Sequence, residues 1–253
     1  MNSTREASPS IMVPPTPIKL DCTKLREERQ KVNNATVFSL IKSRNIPELK
    51  KNINNKELDR LLLETGQTED QFINKCVEDD IHNLTVSGRI SKNASRQGAQ
   101  DEATQIQACN CTSQLLGISI ENLSATAYRP TKNGKIISQN EMKEQKIPKD
   151  ECLKSFDGKI SGRMNGWMFA KVRVGEGGHQ DNVFEEIDAM CTWVKEYNNK
   201  DMFVMLIDTD SIDKLNIYKQ KYKSVKNILF VNHYEFQQYM IDNYYVPQTL
   251  SSK

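Results

Sequence analysis

A mixed α/β fold, with a mixed central sheet flanked by helices and an N-terminal helical lobe, is predicted by three observations along the 253 residues. Apolar residues first recur at helical spacing, the period then shortens to that of strands near residue 124, and from residue 181 helical and short continuous apolar segments alternate. With 27% charged residues, a formal charge of +2 and a mean hydropathy of −0.65, a soluble chain is expected, on which any basic surface must be local. No apolar run approaches the roughly eighteen residues of a membrane helix, and only Ile11, Met12 and Val13 stand where a signal peptide would carry its apolar core. A cytoplasmic location with no membrane partner is the expectation. The six cysteines are scattered without a Cys-x-x-Cys pair, which fits free thiols rather than a disulfide framework or a zinc ribbon.

Residues 1–20, with Pro9, Pro14, Pro15 and Pro17 among Ser and Thr, bury too little apolar surface to offset ordering and are expected to be a disordered tail. Residues 21–84 carry Val37, Leu40 and Ile41, then Leu58, Leu61 and Leu62, at spacings of three and four, punctuated by Pro47 and Gly66, and predict the helical lobe. The remaining 85–245 predict the α/β core. It opens with a loop or arm over Thr85–Gln100, followed by a helix from about Ala99. Extended segments are predicted at Ser124–Pro130, Leu153–Ser161 and Trp167–Val174, as an antiparallel meander. A helix over Asp181–Tyr197 has Val183, Phe184, Ile187, Met190 and Val194 on one face, and Met202–Ile207 reads as a strand covered on both sides. A helix at Ser211–Tyr222 and a strand at Asn227–Val231 complete the pattern.

Chemistry is concentrated around the second and third extended segments. Asp157 lies in the second and Lys171 in the third, a hairpin's length apart, so on adjacent strands the two side chains can meet. A carboxylate beside a lysine can hold a divalent metal and a water against a phosphate, the ammonium steadying the developing charge. Lys171 interrupts the apolar run Trp167-Met-Phe-Ala-Lys-Val-Arg-Val, a costly placement unless a charge faces it. Beyond it, Gly175-Glu-Gly-Gly-His-Gln fits neither the dinucleotide pattern nor a P-loop. It reads either as a turn capped by Asp181 or Asn182, or as a place where a phosphate backbone approaches a helix start beside His179 and Gln180. The arm with Arg89, Lys92, Arg96 and Gln97 has the composition of a DNA-contacting element or of a solvated loop. Asp208-Thr-Asp210 is a D-x-D pair of the kind that binds Mg2+, or a strand end that caps the next helix.

The order of elements, with Asp157 on the second strand of the meander and Lys171 on the third, resembles the PD-(D/E)xK nuclease superfamily and, within it, type II restriction endonucleases. The resemblance covers roughly residues 85–240. It implies a restriction-endonuclease-like core, Mg2+ as cofactor, double-stranded DNA as substrate and a homodimer. By that resemblance Asp157 binds metal and Lys171 orients or activates water. The family's acid two residues before the lysine is missing, because Phe169 stands there. Glu102 on the preceding helix and Glu186 on the following one are equal candidates to complete the metal shell, with Asp101 and Glu185 beside them. Two other readings stay open: a metal-dependent phosphotransfer enzyme using Asp208 and Asp210, and a DNA-binding protein whose nuclease site has decayed.

Overall fold

The computed structural model describes residues 13–173, 180–197 and 200–246. They form two compact units, one of residues 21–98 and one of residues 99–246 together with 13–20. Among the described residues no helix is long and apolar enough to cross a membrane.

The helical unit contains α1 (Cys22–Lys42), α2 (Ile46–Asn52), α3 (Asn55–Thr65), α4 (Glu69–Glu78) and α5 (Asp80–Ile90). Local signals set their ends. Asp21 accepts the Lys24 N–H at the start of α1, Thr68 and Gln71 form a capping box on α4, and Gly66 leaves α3 at φ 65°, a conformation glycine adopts without steric cost. Val37, Ile41, Leu58, Phe72, Cys76 and Ile90 are buried in one core. The unit runs to Gly98 rather than ending at residue 84. Thr85–Ile90 is not a loop but the second half of α5, because Val86 and Ile90 continue a buried stripe at i and i+4. The segment after it is tied to α1: Gln30 donates to Ser91 Oγ and accepts the Ala94 N–H, and Asn33 donates to the Lys92 carbonyl.

The α/β unit follows the order α6 (Gly98–Gln114), β1 (Ile118–Asn122), β2 (Tyr128–Pro130), β3 (Ile136–Ser138), α7 (Gln139–Glu144), β4 (Gly158–Gly162), β5 (Gly166–Arg173), α8 (Gln180–Tyr197), β6 (Met202–Thr209), α9 (Ile212–Lys221), β7 (Ile228–Val231) and α10 (His233–Tyr244). Its five-stranded sheet runs β1-β4-β5-β6-β7, antiparallel through β5 and parallel from β5 to β7. The first meander strand is therefore Ile118–Asn122. The predicted Ser124–Pro130 contributes instead to the small hairpin β2–β3, inside a segment that separates β1 from β4. Strand alternation divides the core by face. Met168, Ala170, Val204 and Leu206 pack against Ile106 and Cys109 of α6 and Phe236 and Met240 of α10. Trp167, Phe169, Phe203 and Met205 pack against Phe184, Ile187, Met190 and Val194 of α8. Burying each large apolar side chain of that stripe contributes about 1.5–3 kcal/mol. Gly166 admits the close approach of β5 to β6, since a Cβ there would collide with the Met202 carbonyl oxygen.

The expectation of a disordered tail through residue 20 fails at its end, and residues 1–12 lie outside the described residues. The Ile18 N–H donates to Gln237 Oε1 and its carbonyl accepts from Gln237 Nε2, while the Leu20 N–H donates to His233 Nε2. These bonds tie the segment to α10. At about 1 kcal/mol per bond, deletion of residues 1–20 is expected to lower the melting temperature by several degrees. A truncated protein that melts like the full chain would show that the three bonds add nothing to stability.

Candidate active site

Strand lengths open the site. β4 begins at Gly158, opposite Met168, whereas β5 continues to Arg173, so Phe169–Arg173 extend past the β4 pairing. Asp157 is the residue just ahead of β4 rather than within a strand, its N–H donating to the Met168 carbonyl at 2.9 Å. Its carboxylate turns into the opening, where Oδ2 accepts the Ala170 N–H at 2.9 Å and so satisfies a backbone donor that β4 does not reach. Lys171 shares a strand face with Trp167 and Phe169 and lies diagonally from Asp157, its Nζ 3.8 Å from Asp157 Oδ2. From α6, Glu102 reaches the same ammonium at 2.8 Å. The Phe169 ring lies with its centroid 4.7 Å from the Lys171 Nζ.

The three side chains are 16–18% exposed, which makes their charges matter. Burial pushes the Glu102 and Asp157 carboxyls above their usual range, and Lys171 offsets this only in part. For Lys171 burial works the other way, but Asp157 and Glu102 outweigh it and hold the ammonium above its ordinary value. The result is a charged lysine between two carboxylates that carry more negative charge than it cancels.

These groups line an open cleft of about 680 Å3, whose other walls include Arg129, Lys149, Lys154 and Glu186. Glu186 is on α8, where its carboxylate is held by Lys154 at 3.1 Å instead of touching Lys171. Asp157, Lys171, Glu102 and Glu186 thus come to one cleft from the β4 entry, β5, α6 and α8. Contact with Lys171 is made by Glu102. Among the described residues, no three acidic, His or Cys side chains form one metal-ligand group. Asp101, next to Glu102, is buried, and Glu185 lines the cleft.

Other sequence candidates lie elsewhere. Arg89 belongs to α5 in the helical unit, its guanidinium bonded to Glu57 at 2.8 Å and Glu64 at 2.9 Å, so its charge is matched locally instead of being offered to phosphates. Lys92, Arg96 and Gln97 belong to the same unit, with Lys92 and Arg96 exposed. His179 and the glycine turn lie outside the described residues, and Gln180 is the first residue of α8. Asp208 shares a face with Val204 and Leu206, opposite to Lys171, and its Oδ2 bonds Gln105 and His233 Nδ1. Sequence reasoning missed Arg129, Lys149 and Lys154 on the cleft wall. Their signal was a cluster of basic residues between two strands of the meander.

Comparison of the chain with family models, with curated proteins and with solved structures finds no match.

Proposed function

We propose that the chain is a Mg2+-dependent endonuclease of type II restriction type, hydrolysing phosphodiester bonds in duplex DNA at a specific site. The observation that carries this reading is the meeting of Asp157, Glu102 and Lys171 at the opened edge of β5, in a cleft that also holds Arg129, Lys149 and Lys154. The order of strands in the mixed sheet supports the reading of a restriction-endonuclease-like core, and dimerisation follows from the same resemblance.

The donor set suits a hard divalent cation. Asp157 and Glu102 offer oxygen ligands, both raised above the usual carboxylate range by burial, a condition that added positive charge relieves. Mg2+ commonly uses one or two protein carboxylates and completes its shell with water and phosphate oxygens. When bound, such an ion supplies Lewis-acid polarisation and a more acidic water. The chain does the rest. The Ala170 N–H orients the Asp157 carboxylate, and Glu102 fixes the Lys171 ammonium at the cleft. As a charged lysine, Lys171 orients water and steadies developing negative charge; it has no lone pair with which to take a proton. Arg129, Lys149 and Lys154 offset phosphate charge along the wall.

Plasmid DNA incubated with the protein in Mg2+, beside an EDTA control, tests the proposal: discrete fragments are expected with Mg2+ alone. A smear would mean a nonspecific nuclease. Intact DNA with retained binding would favour a DNA-binding protein with a decayed site, the reading that Phe169 beneath Lys171 supports. For the metal, Glu102→Gln should raise the Mg2+ concentration needed for cleavage at least roughly tenfold, and Glu186→Gln should raise it less, because Lys154 already holds that carboxylate. An equal response in the two titrations would remove Glu102 from its special place.

A further inference from the structure

We propose that the segment between β1 and β4 carries a second, cationic site that holds the sugar-phosphate backbone of duplex DNA beside the cleft. The choice of DNA rests on the nuclease reading; the site itself adds Lys143 and Lys146 to Arg129 and Lys149 of the cleft wall. Residues 123–157 separate two strands that pair with each other, and fold into β2, β3, α7 and a short 3-10 turn at Lys149–Glu151. On this segment lies a groove of about 450 Å3 in which Arg129, Lys143, Lys146 and Lys149 surround Met142 and Ile147. Arg129 and Lys149 line both the groove and the candidate cleft, so the two adjoin.

The three lysines are not engaged in ion pairs: among the described residues no carboxylate pairs with Lys143, Lys146 or Lys149, whereas Lys132 and Lys154 of the same segment pair with Glu151 and Glu186. Glu141 of α7 is turned to the Ser138 N–H in a capping box. Arg129 is anchored, donating to the carbonyls of Leu153 and Ala125 at 3.3 and 3.2 Å. Three lysines on an open groove, beside a cleft proposed to cut phosphodiesters, suit the phosphates of one polyanion: such contacts position a duplex without reading its bases.

The end of α7 supplies a discriminating substitution. Lys146 has φ 53°, its N–H donates to the Lys143 carbonyl and the Ile147 N–H donates to the Met142 carbonyl, the Schellman arrangement in which glycine is preferred. Arg44 has the same φ after α1, so the conformation alone marks no site. At Lys146, however, it sets stability and binding against each other. Lys146→Gly should melt at the same or a higher temperature and yet bind DNA more weakly.

The experiment measures binding of a labelled duplex in EDTA, across a salt series, by the full-length protein, Lys146→Gly and the double variant Lys143→Gln with Lys149→Gln, alongside plasmid cleavage in Mg2+. Each lost phosphate contact should make the slope of log K against log salt shallower by about 0.9. The double variant should bind at least severalfold more weakly at moderate salt, with its melting temperature unchanged. Wild-type affinity and slope in both variants would overturn the groove; if the wild type still cuts, the nuclease reading survives that failure. Wild-type binding without cutting, weakened in the variants, supports the groove and rejects the nuclease. Tighter binding of single-stranded RNA, or no binding of either nucleic acid, overturns the duplex assignment.

Discussion

Replacing Lys171 by Met is expected to abolish cleavage and to destabilise the fold at neutral pH, the second effect identifying the first as electrostatic. Methionine keeps most of the lysine stem and its packing on Phe169, but leaves Glu102 and Asp157 facing each other with no counter-charge. Orphaning buried charge in this way costs about 3 kcal/mol, the lower end of the range for broken buried pairs, because the groups retain some exposure and can take up protons. That escape sets the pH dependence. The folded-state pKa values of Glu102 and Asp157 are already raised, so their stabilising contribution is complete below the ordinary carboxylate pKa of about 4 and is lost as pH rises through the raised values. Without Lys171 the values rise further and the loss steepens. Lys171 is itself raised, so the wild type keeps its contribution below the usual lysine pKa and loses it only in strong alkali. Urea titrations of wild type and Lys171→Met at mildly acidic and at neutral pH should show the difference shrinking on acidification. A pH-independent difference, or persistent cleavage, would contradict the charged triad.

Asp157→Asn should also end cleavage, but with the opposite effect on stability. The amide oxygen can still accept the Ala170 N–H and preserve the turn into β4, while the buried charge that Lys171 only partly compensates disappears. Lys171 keeps Glu102 at 2.8 Å. Stability at neutral pH should therefore equal or exceed that of wild type, as when a functional site relinquishes an unfavourable charge, and cleavage should fall by about 10²–10³-fold or more. DNA binding in EDTA should persist or tighten, one negative charge near the phosphate having gone. An Asp157→Asn protein that is folded, binds DNA and cuts at the wild-type rate would move suspicion to other carboxylates. A destabilised one would make Asp157 chiefly a structural capping residue.

Much of the architecture was legible because it rests on local regularities. The apolar stripe of α8, the continuous apolar run of β6 and the hairpin spacing of Asp157 and Lys171 survive in the structure, since period, length and turn chemistry act over a few residues. β1 was less legible: Ile118 and Ile120 alternate for only five residues directly after a helix, too short a signal to stand out from the longer Ser124–Pro130 segment. α5 was cut short because Arg89 and Gly88 obscured the buried pair Val86 and Ile90, and because Arg89 looked like a free cation when Glu57 and Glu64 hold it.

The sequence by itself determined that a lysine within an apolar strand needs a carboxylate, and that Asp157 could supply one, since the cost of burying a charge applies in any fold. It could not choose between Glu102 and Glu186. That choice depends on how α6 and α8 pack against the sheet, and the structure sets Glu102 against Lys171 and Glu186 against Lys154. Nor could it show that Asp208, as acidic as Asp157, faces the other side of the sheet toward Gln105 and His233. One residue of register along a strand reverses the face a side chain takes, and only the pairing of β5 with β6, through Lys171 opposite Ile207 and Val172 opposite Asp208, decides it.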